Sequence, residues 1–209
     1  MRKLPLTALV IAMAAPVQAQ PALSPASIQP AVDTAAERQA LRKLTMCIAG
    51  QRPRWSRSML SYPYLSTPQA SAAAQITSGR DKCLNAPEVA VAFRTSGVVG
   101  AAAEYWLRAD LPKTDLKQLG GALATIAPFN VSEDFGLCLA ARNPQASMDL
   151  ALSDPGSADE GKAAGLVAAS VPSCTKPTER LDVDLQSLRA LVATALYRGL
   201  TATTVAKNY

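Results

Sequence analysis

Apolar residues recur at helical spacing along most of the chain, and strand-type alternation is scarce. Leu41, Leu44 and Ile48 share one face of a segment that opens with Thr34-Ala-Ala-Glu37. A threonine followed three residues later by a glutamate can satisfy free backbone amides reciprocally at a helix start. This predicts a first helix running to about Gly50. Gln51 to Leu65, with Pro53 and Pro63, reads as a loop. Ser66-Thr-Pro-Gln69 is a second capping box, with Pro68 in the first turn where its missing amide costs nothing. A short alanine-rich helix to about Ser78 follows. Asn85-Ala-Pro-Glu88 opens a longer helix reaching about Arg108, with Val89, Ala92, Ser96, Val99, Ala103 and Trp106 as its stripe. Leu111 to Ala127 predicts a linking helix weakened by Gly120 and Gly121.

The same plan then recurs at an offset of 91 residues, from Cys47 to Cys138 and from Cys83 to Cys174. Pro53 maps to Pro144, Ser56 to Ser147, Glu88 to Glu179 and Ser96 to Ser187. Softer matches agree: Ile48 with Leu139, Ile76 with Val167 and Trp106 with Tyr197. No gap is needed between Cys47 and Tyr197. Phe135 to Ala141 predicts a helix, Pro144 and Pro155 a loop, and Ser157-Ala-Asp-Glu160 a capping box in the place of Ser66. Leu181, Leu185, Leu188, Val192 and Leu196 form the stripe of a closing helix.

Each copy owns one cysteine pair, so each can close its own loop, Cys47–Cys83 and Cys138–Cys174. A swapped pairing between copies is the alternative. The expected fold is all-α: two tandem three-helix units forming one pseudo-symmetric helical domain, each with one intra-unit disulfide. The boundaries read as unit 1 over 33–108, linking helix 109–127, unit 2 over 128–200, and a loose tail 201–209.

The N-terminus changes the setting. Arg2 and Lys3 precede an apolar run from Leu4 to Val17, and Val17-Gln18-Ala19 has side chains suited to cleavage. Residues 1–19 therefore read as a removable signal peptide. Residues 20–32, with Pro21, Pro25 and Pro30, read as a flexible proline-rich leader. The run is too short for a stable membrane anchor, which takes about 20 residues. An even cysteine count fits an oxidising compartment, so the expected address is the periplasm or the exterior.

Composition narrows the chemistry. Hydrophobic residues make up 49% of the chain but aromatic ones only 5%, and the formal charge is +5. Charge of that size does not by itself suggest nucleic acid. There is no histidine, which removes Ser-His-Asp and Cys-His catalysis and the commonest transition-metal ligand. Oxidised cysteines are neither nucleophiles nor metal thiolates. No phosphate-loop motif is present, and no cofactor or metal is expected. Carboxylate chemistry survives in principle through Glu104 or through Asp182 and Asp184, although acids at a helix start have an ordinary structural role. Ser96 and Ser187 read as small residues that let helices approach.

The two units carry opposite charge. Residues 37–83 hold Arg38, Arg42, Lys43, Arg52, Arg54, Arg57, Arg80 and Lys82 against Glu37 and Asp81, net +6. Residues 128–174 hold Arg142 and Lys162 against Glu133, Asp134, Asp149, Asp154, Asp159 and Glu160, net −4. The densest stretch is Arg52, Arg54, Trp55 and Arg57, followed by Tyr62 and Tyr64. Arginine forks bind carboxylate or phosphate, and aromatics beside them can stack on a ligand. These six residues are the candidate binding site. The expected function is a non-catalytic binding or interaction module of the cell envelope. Its partner would be an anionic envelope component, an acidic protein surface, or the acidic unit of a second copy in head-to-tail association. A purely structural helical protein and a small exported hydrolase with paired carboxylates are the alternatives.

Overall fold

The computed structural model describes residues 28–29, 33–75, 83, 94–110, 115–175 and 183–207. The first unit contains α1 (Ala35–Gln51), α2 (Pro53–Ser61), α3 (Thr67–Ala74) and α4 (Thr95–Asp110). Helix α5 (Leu116–Leu123) links it to α6 (Val131–Arg142), α7 (Pro144–Leu152), α8 (Ala158–Ala168), the short α9 (Val171–Cys174) and α10 (Leu185–Lys207). A parallel strand pair, β1 (Ile28–Gln29) with β2 (Val183–Asp184), puts Ile28 opposite Val183. The fold is all-α with one disulfide in each half. Cys47–Cys83 and Cys138–Cys174 both span 36 residues, with Cα atoms 5.9 and 5.6 Å apart. The swapped pairing is thereby excluded.

The copies share their element bounds and cap bonds where the chain turns. Helices α2 and α7 occupy equivalent positions, and so do the first residues of α3 and α8. Both α2–α3 and α7–α8 turns pass through positive φ at equivalent residues, Leu65 (56°) and Gly156 (80°). Ser66 and Ser157 each accept the amide three residues on. The Gln69 side chain takes the Leu65 amide (2.7 Å) and the Glu160 side chain takes that of Gly156 (2.6 Å). The reciprocal bond of these two caps thus falls one residue before the serine. The Thr34–Glu37 box closes on Thr34 itself.

Several boundaries differ from the sequence reading. Gln51 to Leu65 is largely helical, because Pro53 stands in the first turn of α2 and its fixed φ starts a helix there. Ser56, Met59 and Leu60 form the buried face of α2. Pro144 does the same for α7, so each unit gains a helix where a loop was expected. Helix α4 runs over Thr95–Asp110, and within the described part of the linking segment the helix is α5, which stops at Leu123. Residues 201–207 continue α10 instead of forming a tail. Just before it, α10 packs closely on α5: a Cβ added at Gly199 would lie 2.7 Å from Leu119 and 2.9 Å from Leu123. The signal segment, the leader apart from Ile28-Gln29, the Asn85–Glu88 box, Glu179, Leu181 and Asp182 lie outside the described residues.

Helices α4 and α10 pack along each other through the middle of the molecule. Val99, Ala102, Ala103 and Leu107 of α4 are buried together with Leu188, Val192 and Leu196 of α10. Each such leucine or valine contributes ~1.5–3 kcal/mol by leaving water. At Gly100 the backbones come so close that a Cβ would sit 2.7 Å from that of Ala190. The units are interlocked rather than set side by side. The turn of unit 1 reaches α6 of unit 2, where Glu133 accepts the Tyr64 amide (2.7 Å) and Asn130 donates to the Tyr64 carbonyl (2.9 Å). The turn of unit 2 reaches α1, where Arg42 pairs with Asp154 (2.8 Å) and Gly156 abuts Ala35. Arg42 and Glu133 are repeat-equivalent positions, so the same crossing is made twice with opposite charge.

Candidate functional site

The six residues singled out in the sequence do not form one cluster. Arg52 is the half-buried corner between α1 and α2, and Arg54 is exposed on α2. Trp55 turns inward, packs against the core and donates its indole N–H to the Ala72 carbonyl (3.0 Å). The guanidinium of Arg57 lies 3.7 Å over the Trp106 ring and is 3.4 Å from Asp110. Tyr62 is exposed, whereas Tyr64 is only 2% exposed. Trp55 and Tyr64 thus turn into the core, away from the exposed Arg54 and Tyr62.

The charged groups of α1 converge elsewhere. Arg38 and Arg42 lie four residues apart on the helix face that also carries the buried Leu41 and Thr45. Opposite them, Glu104 of α4 is 1% exposed. Arg42 donates through Nε to both Glu104 oxygens (3.0 and 2.8 Å) and through Nη2 to Oε1 (2.6 Å). Arg108 adds two bonds to Oε1, and Arg189 of α10 donates Nη2 to Oε2 (3.1 Å). Arg189 and Arg38 both reach Glu160 Oε1, at 3.3 and 2.8 Å. Arg189 also donates to the Ala151 and Ser153 carbonyls and the Ser153 hydroxyl, fastening α10 to the end of α7.

Burial alone would push the Glu104 carboxyl up. Hydrogen bonds from Arg42 and the charges of Arg189 and Arg42 outweigh it and hold the group below the usual carboxylate range. The bond to Glu104 likewise raises the Arg42 guanidinium against the opposing effect of its burial. Part of the charge asymmetry between the units is therefore internal: Arg38 and Arg42 of the basic unit meet Glu160 and Asp154 of the acidic one.

Beside this network lies a cavity of about 30 Å³, walled by α1, α4 and α10 and closed on one side by Pro155. Arg38, Arg42, Arg189 and Gln186 line it together with Leu41, Gly97, Gly100, Ala101 and Ala190. Two of its polar atoms, Arg38 Nε and Gln186 Oε1, are buried and have no hydrogen-bond partner among the described residues. The repeat supplies a comparison. The equivalent space in unit 2, between α6 and α10, measures about 10 Å³ and is lined by Tyr64, Glu133, Leu191, Ala195 and Arg198 among others. Tyr64 stands there in the place of Pro155, and Leu191 in the place of Gly100. One cradle is plugged by a tyrosine; its twin keeps its space.

Apart from Glu104, which the sequence offered only for carboxylate chemistry, none of these site residues was among the sequence candidates, although a signal existed. Arg38 and Arg42 fall on the apolar face of α1, Glu104 in the apolar run of α4, and Arg189 between Leu188 and Val192. A charge inside an apolar stripe is costly unless paired. No protein-family model matches the chain, and neither a curated protein nor a solved structure matches it.

Proposed function

We propose that this chain is an exported, non-catalytic binding module for an anionic partner, and that the partner enters the cavity between α1, α4 and α10. The observation that carries the reading is an excess of cations around that cavity. Three arginines, Arg38, Arg42 and Arg189, line it together with a single carboxylate, Glu104. Cationic groups beside a low-dielectric cavity favour an anion. The cavity replaces the α2 segment as the preferred site, because Trp55 and Tyr64 are engaged in the core.

Export is supported by the leader pattern and by two disulfides of the kind that persist in oxidising compartments. No helix among the described residues is long and apolar enough to cross a membrane. Catalysis by carboxylates through Glu104 is disfavoured because it is held ionised by hydrogen bonds from Arg42, Arg108 and Arg189.

Two measurements test the reading. The full chain produced in a bacterial host should yield a mature protein starting at Gln20, by intact-mass analysis of the periplasmic fraction. The oxidised protein should be stabilised by small anions in a thermal-unfolding panel, since a ligand bound only to the folded state raises its melting temperature. If no anion in a panel of carboxylates, phosphate and sulfate raises it, the binding reading fails and a purely structural role is left.

A further inference from the structure

We infer that Tyr62, Leu65, Phe129 and Val131 form an uncharged contact face through which two copies of this chain associate, independently of any anion at the cavity. The sequence carries no charged residue from Ser58 to Gln75 or from Gln118 to Ser132. The fold brings these two runs together. Glu133 accepts the Tyr64 amide on Oε1 (2.7 Å) and the Phe129 amide on Oε2 (2.8 Å), so one carboxylate gathers the α2–α3 turn and the approach to α6. Arg198 pairs with that carboxylate (2.7 Å), donates to the Ala127 carbonyl (3.3 Å) and lies 4.8 Å from the Phe129 ring. The junction is thus fixed from behind, with its charges paired beneath it. Around it Tyr62 is 39% exposed, Leu65 48%, Phe129 66% and Val131 50%. Among the described residues only one other large apolar side chain is as open, Leu166 on α8.

The fold does not need these side chains. Their equivalents in the repeat are Ser153, Gly156, Arg38 and Ala40, and the other crossing closes with none of the four. Leu65 is the sharpest case. Its φ of 56° is left-handed, a conformation that the twin turn gives to Gly156. A leucine kept in a strained backbone, with its side chain half in water, contributes to a surface and not to the core.

Charge and area select the occupant. The cation at this face, Arg198, is engaged by Glu133, so anionic headgroups or an acidic partner gain little there. An isologous contact lays the same patch on both partners, and an uncharged patch can meet itself without burying a charge. The four side chains expose on the order of 400 Å², a size that marks a contact site. The exposed Ala127 and Pro128 extend it. A stable interface takes roughly 800 Å² from each partner, so the pairing is weak and reversible.

The test is sedimentation equilibrium of the oxidised, exported protein over a concentration series reaching about 0.5 mM. A monomer–dimer equilibrium should appear, with a dissociation constant on the order of 10–100 μM and little change between low and high salt. Amide NMR shifts on dilution should be confined to residues near 62–65 and 127–131. Leu65→Gly relieves the backbone strain, so it should raise the unfolding midpoint yet weaken the dimer at least tenfold. Val131→Lys sets like charges against each other across the contact and should abolish association without loss of helicity. A wild type that stays monomeric throughout the series, or a dimer that both variants leave intact, would overturn the inference. Flotation with neutral phosphatidylcholine vesicles is the remaining arm: a monomer that binds them, and loses binding in Val131→Lys, would assign the face to lipid and overturn self-association.

Discussion

Replacing Glu104 by glutamine removes one charge from the most heavily paired group in the molecule and barely alters its volume. Three arginines lose their shared anion. Arg42 keeps Asp154 and Arg189 keeps Glu160, while Arg108, whose side chain is 41% exposed, can turn to water. Breaking a buried ion pair by removing one partner costs ~3–5 kcal/mol. The retained second partners place E104Q at the lower end, about 3 kcal/mol. A domain of this size has ~5–15 kcal/mol in all, so the variant still folds but unfolds at clearly lower denaturant. The assay is urea unfolding followed by far-ultraviolet circular dichroism with both disulfides intact, and the slope m should be unchanged. Acid adds a second check. The folded pKa of Glu104 lies below its ordinary value of 4.5, so the unfolded chain binds that proton first. The group's contribution is therefore complete above about pH 4.5 and drains away as pH falls through the folded value. E104Q has none of it to lose, so its stability should converge with that of the wild type in acid. A difference under ~0.5 kcal/mol near neutral pH, or a gap that persists undiminished below the carboxylate range, would refute the reasoning.

Other expectations follow from backbone packing. Gly100→Ala should cost ~1–3 kcal/mol, because its Cβ meets Ala190 at 2.7 Å on a helix that cannot yield. Gly161→Ala in α8, with nothing within 4 Å, should gain ~0.5–1 kcal/mol from helix propensity, and a loss there would contradict the open surface described for it. Leu65→Gly should relieve the left-handed strain at φ 56° and raise the midpoint slightly. Gly156→Ala, at the equivalent turn, should lower stability, since it combines φ 80° with a contact 2.4 Å from the Ala35 Cβ. Removing Cys138 and Cys174 together by alanine should cost ~3–4 kcal/mol in the chain-entropy account. Removing Cys47 and Cys83 should cost a similar amount, as both loops span 36 residues; a large inequality measured by thermal unfolding would show that loop closure is not the governing effect.

The limits of the sequence reading have particular causes. A proline ahead of a short polar-apolar stretch can break a helix or start one, and Pro53 and Pro144 do the latter because a buried face follows each of them. Trp55 and Tyr64 looked like ligand-stacking aromatics because they neighbour arginines in the chain. Their rings instead follow the helix and turn geometry into the core, Tyr64 into the cradle of the opposite unit. The charge totals of the two units were correct, but a total carries no information about which helix face each charge occupies.

Read alone, the chain determined what depends on short range: helix periodicity, cap chemistry, and a 91-residue register that offers each cysteine a partner within its own copy, with the swapped pairing left for the structure to exclude. It thereby established an all-α molecule built from one motif used twice. Which charges would be buried, which cradle would be plugged and which would stay open were decided only when α1, α4 and α10 came together. Those outcomes depend on the relative rotation of helices far apart in sequence. A difference as small as proline in place of tyrosine at one turn then separates a filled core from a cavity lined by arginines.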